Sequence, residues 1–430
     1  MKKFILISIL FLGALMQAKK IDFIEIHNQK IPLIFEQSSL IPTGFVRLAF
    51  IGGGSINDKD LSGLASLGSK LLNEGTKSLG SIRFAQELEK RAISLYASSG
   101  LETLNLELNV LKEKQNEALD LLQDLLLDPN YTQDTLDKIK QKAINSLLVK
   151  QNDFDYLANE NLAKILFTDT PLAQSPTKES LQKITLEDLK SYLNANLTLS
   201  RLVIVVGGDM EQAHILPKLT KILQKLSVGT PTPAQNYSAN ANATTSMLYK
   251  DTQQAYIYFG APFVLKDLEA ESYKAKILGF VLGASGFGSR LMEEIRVKRG
   301  LAYSAYLRIH TGKIANYASG YLQTKLENQS EAIKLVKQIV ADFVREGITQ
   351  DELESAKRFL LGSDPLRRET LAQRLNAEFQ NYYLGLPLNF DKIQLNQIQD
   401  ITLEQINTYI KEHVELNDLS FSIVTTKDKK

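Results

Sequence analysis

The sequence contains no cysteine and no tryptophan among its 430 residues, and it has only four histidines. The absence of cysteine excludes disulfide bonds, a thiol nucleophile and a lipid anchor on a processed cysteine. The histidines are scattered, and no two of them stand at the spacing that a shared metal ion requires. We therefore interpret all four as surface or packing residues: His27, His214, His310 and His413.

An excess of either charge is also absent. Lys and Arg number 50 and Asp and Glu 49, which gives a formal net charge of +1. Proteins that bind nucleic acid or an anionic membrane surface normally carry a clustered basic excess, so this balance argues against both partners. Beyond the N-terminus, the sequence has no run that is apolar enough to span a bilayer.

The N-terminus has the composition of a secretory signal peptide. Lys2 and Lys3 precede an apolar run over residues 4–16, and Ala18 offers a small residue for cleavage. The run is short for a transmembrane helix, which disfavours the alternative of a membrane anchor. We predict a signal peptide over residues 1–18, cleaved near Ala18, and a mature chain that is periplasmic where a cell has two membranes.

The remainder of the chain contains an internal duplication. The sequence ITLEDLK from Ile184 recurs as ITLEQIN from Ile401, and the tripeptide TQD from Thr132 recurs from Thr349. Both pairs are separated by 217 residues. Two distant matches at one offset are hard to obtain by chance, and a period of this length indicates duplicated domains rather than a solenoid.

We place the first domain at residues 19–228 and the second at 247–430. Residues 229–246, rich in Pro, Ala, Asn, Thr and Ser, have no apolar periodicity and are predicted to be a linker. Each half runs through a strand, an apolar helix, a further helix, a strand pair, two amphipathic helices, and a closing helix and strand. Strands grouped with helices, without strict alternation, predict an α+β fold of two homologous domains, each a layered, antiparallel-rich sheet with helices.

The segment 289–306, SRLMEEIRVKRGLAYSAY, is the most informative stretch. Apolar residues near 3–4 spacing predict a helix that ends in basic residues and Gly300, and a strand follows from Leu301. Arg296 and Tyr303 thereby stand on the two sides of one tight connection. A fixed guanidinium beside a phenol is suited to polarising a carbonyl. The alternative is an ordinary basic helix end and a half-buried tyrosine.

The amino-acid sequence of this segment resembles the C-terminal-domain signature of the pitrilysin and mitochondrial processing peptidase family, the inverted zincins. The resemblance extends along nearly all of the mature chain, including GLASLGSKLLNEGT at residues 63–76 and LYASSGLETLNLELNVL at 95–111. It implies that Arg296 and Tyr303 reach across a closed chamber to a substrate held at zinc. It also implies that the two domains form one half of a clamshell.

The zinc motif of that family, H-x-x-E-H on a helix, is absent. The flanking residues align its three positions with Ser66, Ser69 and Lys70. Serine is a poor zinc ligand, and an ammonium group repels the cation. A further family glutamate is expected near Ser146 and Leu147, and neither residue is a carboxylate. We therefore expect no metal or cofactor in this chain, and zinc in a partner.

Two other segments bear on substrate binding, a glycine-rich stretch and a strand pair. The glycines of residues 282–289, which are Gly283, Gly286 and Gly288, predict either a flexible loop that borders a substrate chamber or simply a mobile connection. The strand pair at 95–111 includes the edge that pairs with substrate backbone in catalytic family members. Tyr96 stands where those members commonly have asparagine, so that role is in doubt here.

The resemblance implies a non-catalytic subunit of an exported, heterodimeric zinc metalloendopeptidase. The expected partners are a homologous subunit with an intact H-x-x-E-H motif and a peptide or unfolded-polypeptide substrate. Arg296 and Tyr303 would stabilise the scissile carbonyl at the partner's zinc. The alternative is a purely structural or peptide-binding homologue with no role in proteolysis. The missing ligands argue against a third candidate, a zinc peptidase that acts alone.

Overall fold

The computed structural model describes residues 21–427, so the predicted signal peptide lies outside the described residues. No helix in this part of the chain is long and apolar enough to cross a membrane. The first half contains β1 (Asp22–Ile26), β2 (Gln29–Gln37), β3 (Thr43–Ile51), α1 (Leu64–Leu72), α2 (Gly80–Glu89), β4 (Ser94–Ser99), β5 (Thr103–Leu111), α3 (Gln115–Leu127), α4 (Gln133–Lys150), α5 (Phe154–Leu166), α6 (Lys178–Lys183), α7 (Leu186–Asn196), β6 (Leu202–Gly208) and α8 (Gln212–Leu223).

The second half contains β7 (Thr245–Tyr249), β8 (Gln254–Pro262), α9 (Leu268–Gly279), α10 (Arg290–Met292), β9 (Ala302–His310), β10 (Tyr317–Lys325), α11 (Gln329–Glu346), α12 (Gln350–Gly362), α13 (Asp364–Arg367), α14 (Leu371–Leu384), α15 (Phe390–Asp400), α16 (Leu403–Glu412) and β11 (Ser420–Thr425). Two of its helices widen into π-helical turns. Helix α9 continues into a π turn at Phe280–Ala284, and α10 continues into one at Glu293–Val297.

The two sheets repeat one topology. The first has the strand order β1-β2-β6-β3-β5-β4 and the second β7-β11-β8-β10-β9. Apart from the additional edge strand β1, the orders correspond strand for strand. Each sheet has one parallel pair, β2 with β6 and β7 with β11, and its other neighbours are antiparallel. The predicted α+β fold and the predicted duplication are confirmed.

The repeated sequence blocks begin helices. Thr132 caps α4 and Thr349 caps α12, each accepting a hydrogen bond from the backbone N–H three residues on. Thr185 and Thr402 cap α7 and α16 in the same way. A threonine at this position satisfies an N–H that the helix itself leaves unpaired. The residues that are identical in the two halves therefore include the threonines that cap these helices.

The helices of each half that pack on that half's own sheet all lie on one face of it. On β3, Val46, Leu48 and Phe50 alternate inward and are at most 1% exposed within a large cluster shared with α1, α3 and α7. Phe45 and Arg47 point to the opposite face, as the two-residue period of a strand dictates. The second half builds its own cluster around Ile257, Phe259 and Phe343.

The opposite face of each sheet is covered by a helix from the other half. Helix α14, from the second half, lies on the first sheet, where Leu375 and Phe379 pack against Ile34, Val203 and Val205. Gly207 on β6 permits this approach, because a Cβ there would lie 2.5 Å from the Leu375 side chain. Beside these apolar contacts, the Arg374 guanidinium donates a hydrogen bond to the Glu36 carboxylate at 2.8 Å.

Helix α5, from the first half, lies reciprocally on β8 and β11 of the second sheet. Asn161 donates to the Ser422 hydroxyl at 2.9 Å, and the Tyr258 hydroxyl donates to Asp155 at 3.2 Å. The end of α5 reaches a separate apolar cluster with Ala239 and Ala315. Each half therefore completes the other half's core.

The predicted linker is held against both halves. Residues 228–244 form no helix or strand, and β7 begins at Thr245, inside the predicted linker range. Tyr237 donates its backbone N–H to Ile314 at 2.7 Å, and Asn240 donates to Leu166 at 2.7 Å. Ala239 is 8% exposed. Because its backbone is hydrogen-bonded to both halves, the segment does not behave as a freely extended linker.

We expect Leu375→Ala to destabilise the whole chain in one cooperative transition. Leu375 is 1% exposed, and a buried Leu→Ala change typically costs about 2–5 kcal/mol. Since α14 belongs to the second half but packs on the first sheet, both halves should lose stability together. Urea denaturation followed by circular dichroism measures this. Gln380→Ala, at an exposed position of the same helix, is the control, and two separate transitions in Leu375→Ala would contradict mutual completion.

Candidate functional site

Helix α1 occupies the place of the family's metal helix. The Asp58 carboxylate accepts the backbone N–H groups of Gly63 and Ala65, each at 2.8 Å, and so fixes the start of the helix. Burial raises the pKa of Asp58 to about 6. Ala65, Leu67 and the other apolar residues of α1 face the core. The sheet and the caps therefore hold α1 as a well-formed helix.

The side chains at the three motif positions cannot hold zinc. The Ser69 hydroxyl donates to the Ser66 carbonyl at 3.0 Å and lies 3.4 Å from the Ser99 hydroxyl on β4. Partial desolvation, together with the charge of Lys150, lowers the pKa of Lys70. The Lys70 ammonium thus stands at a motif position where a metal site needs an electron-pair donor. Across residues 21–427, no group of three or more His, Cys, Asp or Glu side chains is placed to bind a metal ion.

The end of α1 also closes the edge of the first sheet. Asn73 donates its side-chain amide to the Ala97 carbonyl at 2.8 Å, and its amide oxygen accepts the Ala97 N–H at 2.7 Å. Ala97 lies on β4, the edge strand. The Asn73 amide therefore makes the two hydrogen bonds that a further strand would make at that residue. Tyr96, the neighbouring position, is 56% exposed and turned away from the core.

The second sheet carries a different arrangement at its corresponding edge, around Arg296. The guanidinium carbon of Arg296 lies 4.3 Å from the centroid of the Tyr303 ring and 4.5 Å from that of Phe287. Both rings are largely solvent-exposed, Tyr303 at 82% and Phe287 at 69%. The predicted meeting of Arg296 and Tyr303 is observed. The alternative interpretation required a half-buried tyrosine, and Tyr303 is instead exposed.

Among the residues that the structure describes, the cations near Arg296 have acidic partners and Arg296 itself has none. Lys298 and Arg299 both pair with Glu294 at 2.6 Å, and Arg290 pairs with Glu352 at 2.8 Å. Within the described part of the chain, no carboxylate lies at ion-pair distance from Arg296 and no hydrogen bond involves its guanidinium. Its five N–H donors therefore remain available to a ligand.

The π-helical turn and a β-bulge produce this geometry. The turn at Glu293–Val297 places one more residue in its hydrogen-bonded ring than an α-turn, and π turns are frequent at functional sites. Val297, the last residue of this turn, is 54% exposed. On β9, an extra residue opposite Leu322–Thr324 breaks the pairing register at the position of Tyr303. A bulge re-aims side chains in this way.

The predicted glycine-rich loop is shorter than the sequence suggested. Gly283 lies in the π turn of Phe280–Ala284 and packs on β9, where a Cβ would lie 2.3 Å from the Leu307 nitrogen. It is a packing glycine, so its assignment to the loop is wrong. Gly286 and Gly288, with φ of +67° and +97°, form the remaining turn, and nothing lies within 4 Å of either Cβ position. Phe287 stands between them.

The four histidines have ordinary local partners. His413 stacks on Phe263 and bonds Glu415 at 2.7 Å. His310 stacks on Tyr317 and bonds Ser319 at 2.8 Å. His27 bonds the Gln224 carbonyl and His214 pairs with Glu211, both at the surface. Their interpretation as surface or packing residues agrees with these contacts.

Comparison of the sequence with known protein families shows which family the chain belongs to. The description "Insulinase (Peptidase family M16)" matches residues 38–179, and "Peptidase M16 inactive domain" matches residues 183–360. The chain belongs to the M16 peptidase family. The resemblance inferred from residues 289–306 is therefore confirmed. The boundary between the two matches precedes β6, which completes the first sheet, so it does not divide the chain between its two sheets.

The M16 relatives include proteins described as proteases and others described as inactive. A Helicobacter pylori protein, "Non-peptidase homolog YmxG", is 49% identical over 431 residues, covering 100% of both chains. A Bacillus subtilis "Uncharacterized zinc protease YmxG" is 24% identical over 365 residues, covering 83% of this chain and 87% of its own. Family membership therefore leaves activity to be argued from the residues.

Solved structures reproduce the fold. A peptidase M16 inactive domain from Pseudomonas fluorescens superposes with a TM-score of 0.86 at 23% identity, covering 95% of this chain and 98% of its own. The periplasmic protease PqqL from Escherichia coli superposes with a TM-score of 0.79 at 10% identity. That match covers 96% of this chain and 47% of PqqL. A unit of this size thus accounts for about half of PqqL.

Sequence reasoning missed two residues of this M16 site. Asn73 was not singled out, because nothing in the sequence shows that its amide faces a strand edge. Phe287 was passed over in favour of the glycines on either side of it. A large apolar residue between two glycines is itself a usable signal, since such a residue cannot be buried by the turn that carries it.

We expect purified protein to bind no stoichiometric zinc and to cleave no peptide, because serine hydroxyls and an ammonium group occupy the ligand positions. Metal analysis with a chelator-sensitive peptidase assay measures both properties. The double variant Ser66→His and Lys70→His is the matched positive control. It places two imidazoles on one helix face and should gain zinc-dependent thermal stabilisation. One zinc per wild-type chain together with peptide cleavage would overturn this expectation.

Asn73→Ala should expose the Ala97 backbone groups and destabilise the protein by about 1–2 kcal/mol, the usual effect of losing such hydrogen bonds. Hydrogen exchange over residues 94–99 should become faster, since the edge loses its partner. Asn73→Asp is the companion variant: it keeps an acceptor for the Ala97 N–H but turns a charged oxygen toward the Ala97 carbonyl, so it should destabilise at least as much as Asn73→Ala. Unchanged exchange in both variants would show that the edge is protected by other means.

Proposed function

We propose that this chain is the non-catalytic subunit of an exported, heterodimeric zinc metalloendopeptidase. The partner would be a homologous subunit with an intact H-x-x-E-H motif, and the substrate a peptide or an unfolded polypeptide. The proposal combines two features of one chain. The metal positions on α1 are occupied by Ser66, Ser69 and Lys70, while Arg296 remains free to bind.

The observation that carries the proposal is the unpaired Arg296 guanidinium beside two exposed rings. A surface arginine with acidic neighbours normally forms an ion pair, as Arg299 does with Glu294. Leaving a guanidinium unpaired next to largely exposed Phe287 and Tyr303 contributes little to the stability of this chain. Arginine and tyrosine are also the residue types that dominate binding sites. The arrangement is therefore suited to an external ligand.

The chemistry would be exerted in trans. Peptide hydrolysis passes through a tetrahedral intermediate that bears an oxyanion, and donors aimed at that charge accelerate the reaction. Arg296 and Tyr303 would supply donors to the scissile carbonyl, while the partner would supply zinc and the general base. The degenerate positions on α1 do not fit the metal, so no step is assigned to them.

The size of the chain supports a two-part assembly. About half of PqqL matches nearly the whole of this chain, so two units of this size in one polypeptide would correspond to two subunits here. Export to the periplasm follows from the proposed signal peptide at residues 1–18. The near-neutral charge gives no reason to invoke nucleic acid or a membrane as a partner.

A second candidate, a purely structural or peptide-binding homologue, draws on Asn73. In the first sheet, the edge that would add a substrate strand at Ala97 is already bonded by this chain's own amide. A subunit with a closed edge can serve assembly without contacting substrate. The two candidates differ in what Arg296 does once the complex has formed.

In the assembled pair, Arg296→Ala or Tyr303→Phe should lower turnover roughly a hundredfold, because a donor aimed at a developing oxyanion is typically worth about 3 kcal/mol. The variants are made in this chain and mixed with the zinc-bearing homologue from the same organism. Size-exclusion chromatography before kinetics establishes that the complexes are intact.

Lys298→Ala and Arg299→Ala are the matched controls, since both side chains pair with Glu294 on the same segment. We expect small effects from both. Full activity of the homologue without this chain would contradict the heterodimer. Intact complexes with wild-type turnover in the Arg296 and Tyr303 variants would favour the structural candidate instead.

A further inference from the structure

We infer that Phe287 is a positioning residue that holds the Arg296 guanidinium in place for its ligand. The catalytic consequence rests on the proposed function, whereas the positioning is a property of this chain alone. Phe287 contacts the guanidinium carbon at 4.5 Å from its ring centroid, almost as closely as Tyr303 does. The site would then consist of three side chains rather than two.

The turn that carries Phe287 is anchored, although the ring itself is exposed. Ser289, which is 0% exposed, donates both its hydroxyl and its backbone N–H to the Gly286 carbonyl, at 2.9 and 3.1 Å. The same hydroxyl accepts the Met292 N–H at the start of α10. Gly286 and Gly288 adopt left-handed φ values. The backbone on both sides of Phe287 is thereby fixed by the start of the helix that carries Arg296.

Core packing does not explain the ring of Phe287. The side chain is 69% exposed, and it belongs to neither large buried cluster of the described residues. A phenylalanine in this state gains little from burial and adds to the exposed apolar surface. Its contact with Arg296 is the interaction that gives it a role. Phe280, by contrast, packs on Phe359 behind the turn.

Arg296 needs such a contact because, within residues 21–427, no ion pair or hydrogen bond restrains its guanidinium. Arginine has one of the largest side-chain rotamer entropies, and an unpaired guanidinium must be ordered when a ligand binds. One ring face limits the guanidinium in one direction. A second ring, on an anchored turn, removes further rotamers before binding and so lowers the ordering cost of each encounter.

The test observes Arg296 directly in the full chain, without a partner. Protein labelled with ¹⁵N-arginine is examined by NMR at mildly acidic pH, and the Arg296 Nε–Hε signal is assigned by its loss in Arg296→Lys. The variants are Phe287→Ala, Phe287→Trp, which keeps a ring, and Val297→Ala. Val297 is an exposed apolar residue of the same segment, 54% exposed, and serves as the control.

We expect Phe287→Ala to shift the Arg296 signal downfield, because the ring current of one aromatic neighbour is lost, and to lower its heteronuclear NOE to that of a mobile side chain. Phe287→Trp should retain a ring-shifted, ordered signal, and Val297→Ala should leave it unchanged. An unaltered signal in Phe287→Ala overturns the inference, and so does failure of Phe287→Trp to retain the order.

Kinetics of the assembled pair separate this inference from the proposed function. If Arg296 acts on the substrate, Phe287→Ala should lower kcat about fivefold, the scale of one exposed cation–π contact, with a smaller effect than Arg296→Ala. A disordered Arg296 signal combined with unchanged turnover would support the positioning role and contradict the catalytic one. An ordered signal combined with reduced turnover would contradict positioning and leave the proposed function standing.

Discussion

The structure depends on the reciprocal packing of α5 and α14. The helices of each half cover one face of that half's sheet and leave the other face to a helix from the opposite half. The remaining face of the first sheet, with Ile34, Val203 and Val205, is sheltered by Leu375 and Phe379 from the second half. Because each half supplies a helix that covers the other half's sheet, we expect the two halves to behave as one thermodynamic unit in spite of their shared ancestry.

Within this frame, equivalent sheet edges have diverged. In the first half, α1 ends with Asn73, whose amide saturates Ala97 on β4. In the second half, the corresponding helix ends in a π turn with Gly283 against β9. The bulge on β9 then releases Tyr303 from the sheet. One edge is closed by the chain itself, whereas the other presents an unpaired cation and two aromatic rings to solvent. A single duplicated scaffold thus carries one edge that its own amide group covers and one edge with an exposed cationic and aromatic cluster.

Much of this organisation could be predicted from the sequence, because its determinants are local. The repeated tripeptides from Thr132 and Thr349 lie at the starts of α4 and α12. The shared offset of 217 residues predicted the matching topologies. The meeting of Arg296 and Tyr303 followed from a helix, a left-handed glycine and a strand in direct succession, since the chain has no room to separate them.

What escaped prediction depends on contacts between distant residues or on small departures from regular geometry. The exchange of α5 and α14 leaves no local signal, because an amphipathic helix does not reveal which sheet it will cover. The π turn at Glu293–Val297 departs from a regular helix by one residue, and such a departure leaves no mark in the apolar spacing. Asn73 acts on Ala97, 24 residues away along the chain. Pairings of this kind are fixed by tertiary structure rather than by pattern.

The exchange of helices also determines when the chain can fold. The last strand of the first sheet ends at Gly208, whereas α14 begins at Leu371. At a synthesis rate of roughly 5–20 residues per second, the covering helix emerges on the order of 10–30 seconds after the sheet could have formed. During that interval the face with Val203 and Val205 has nothing to cover it. The first sheet therefore cannot reach its final packing until the second half has been made, and an uncovered apolar face of this kind favours aggregation in the meantime.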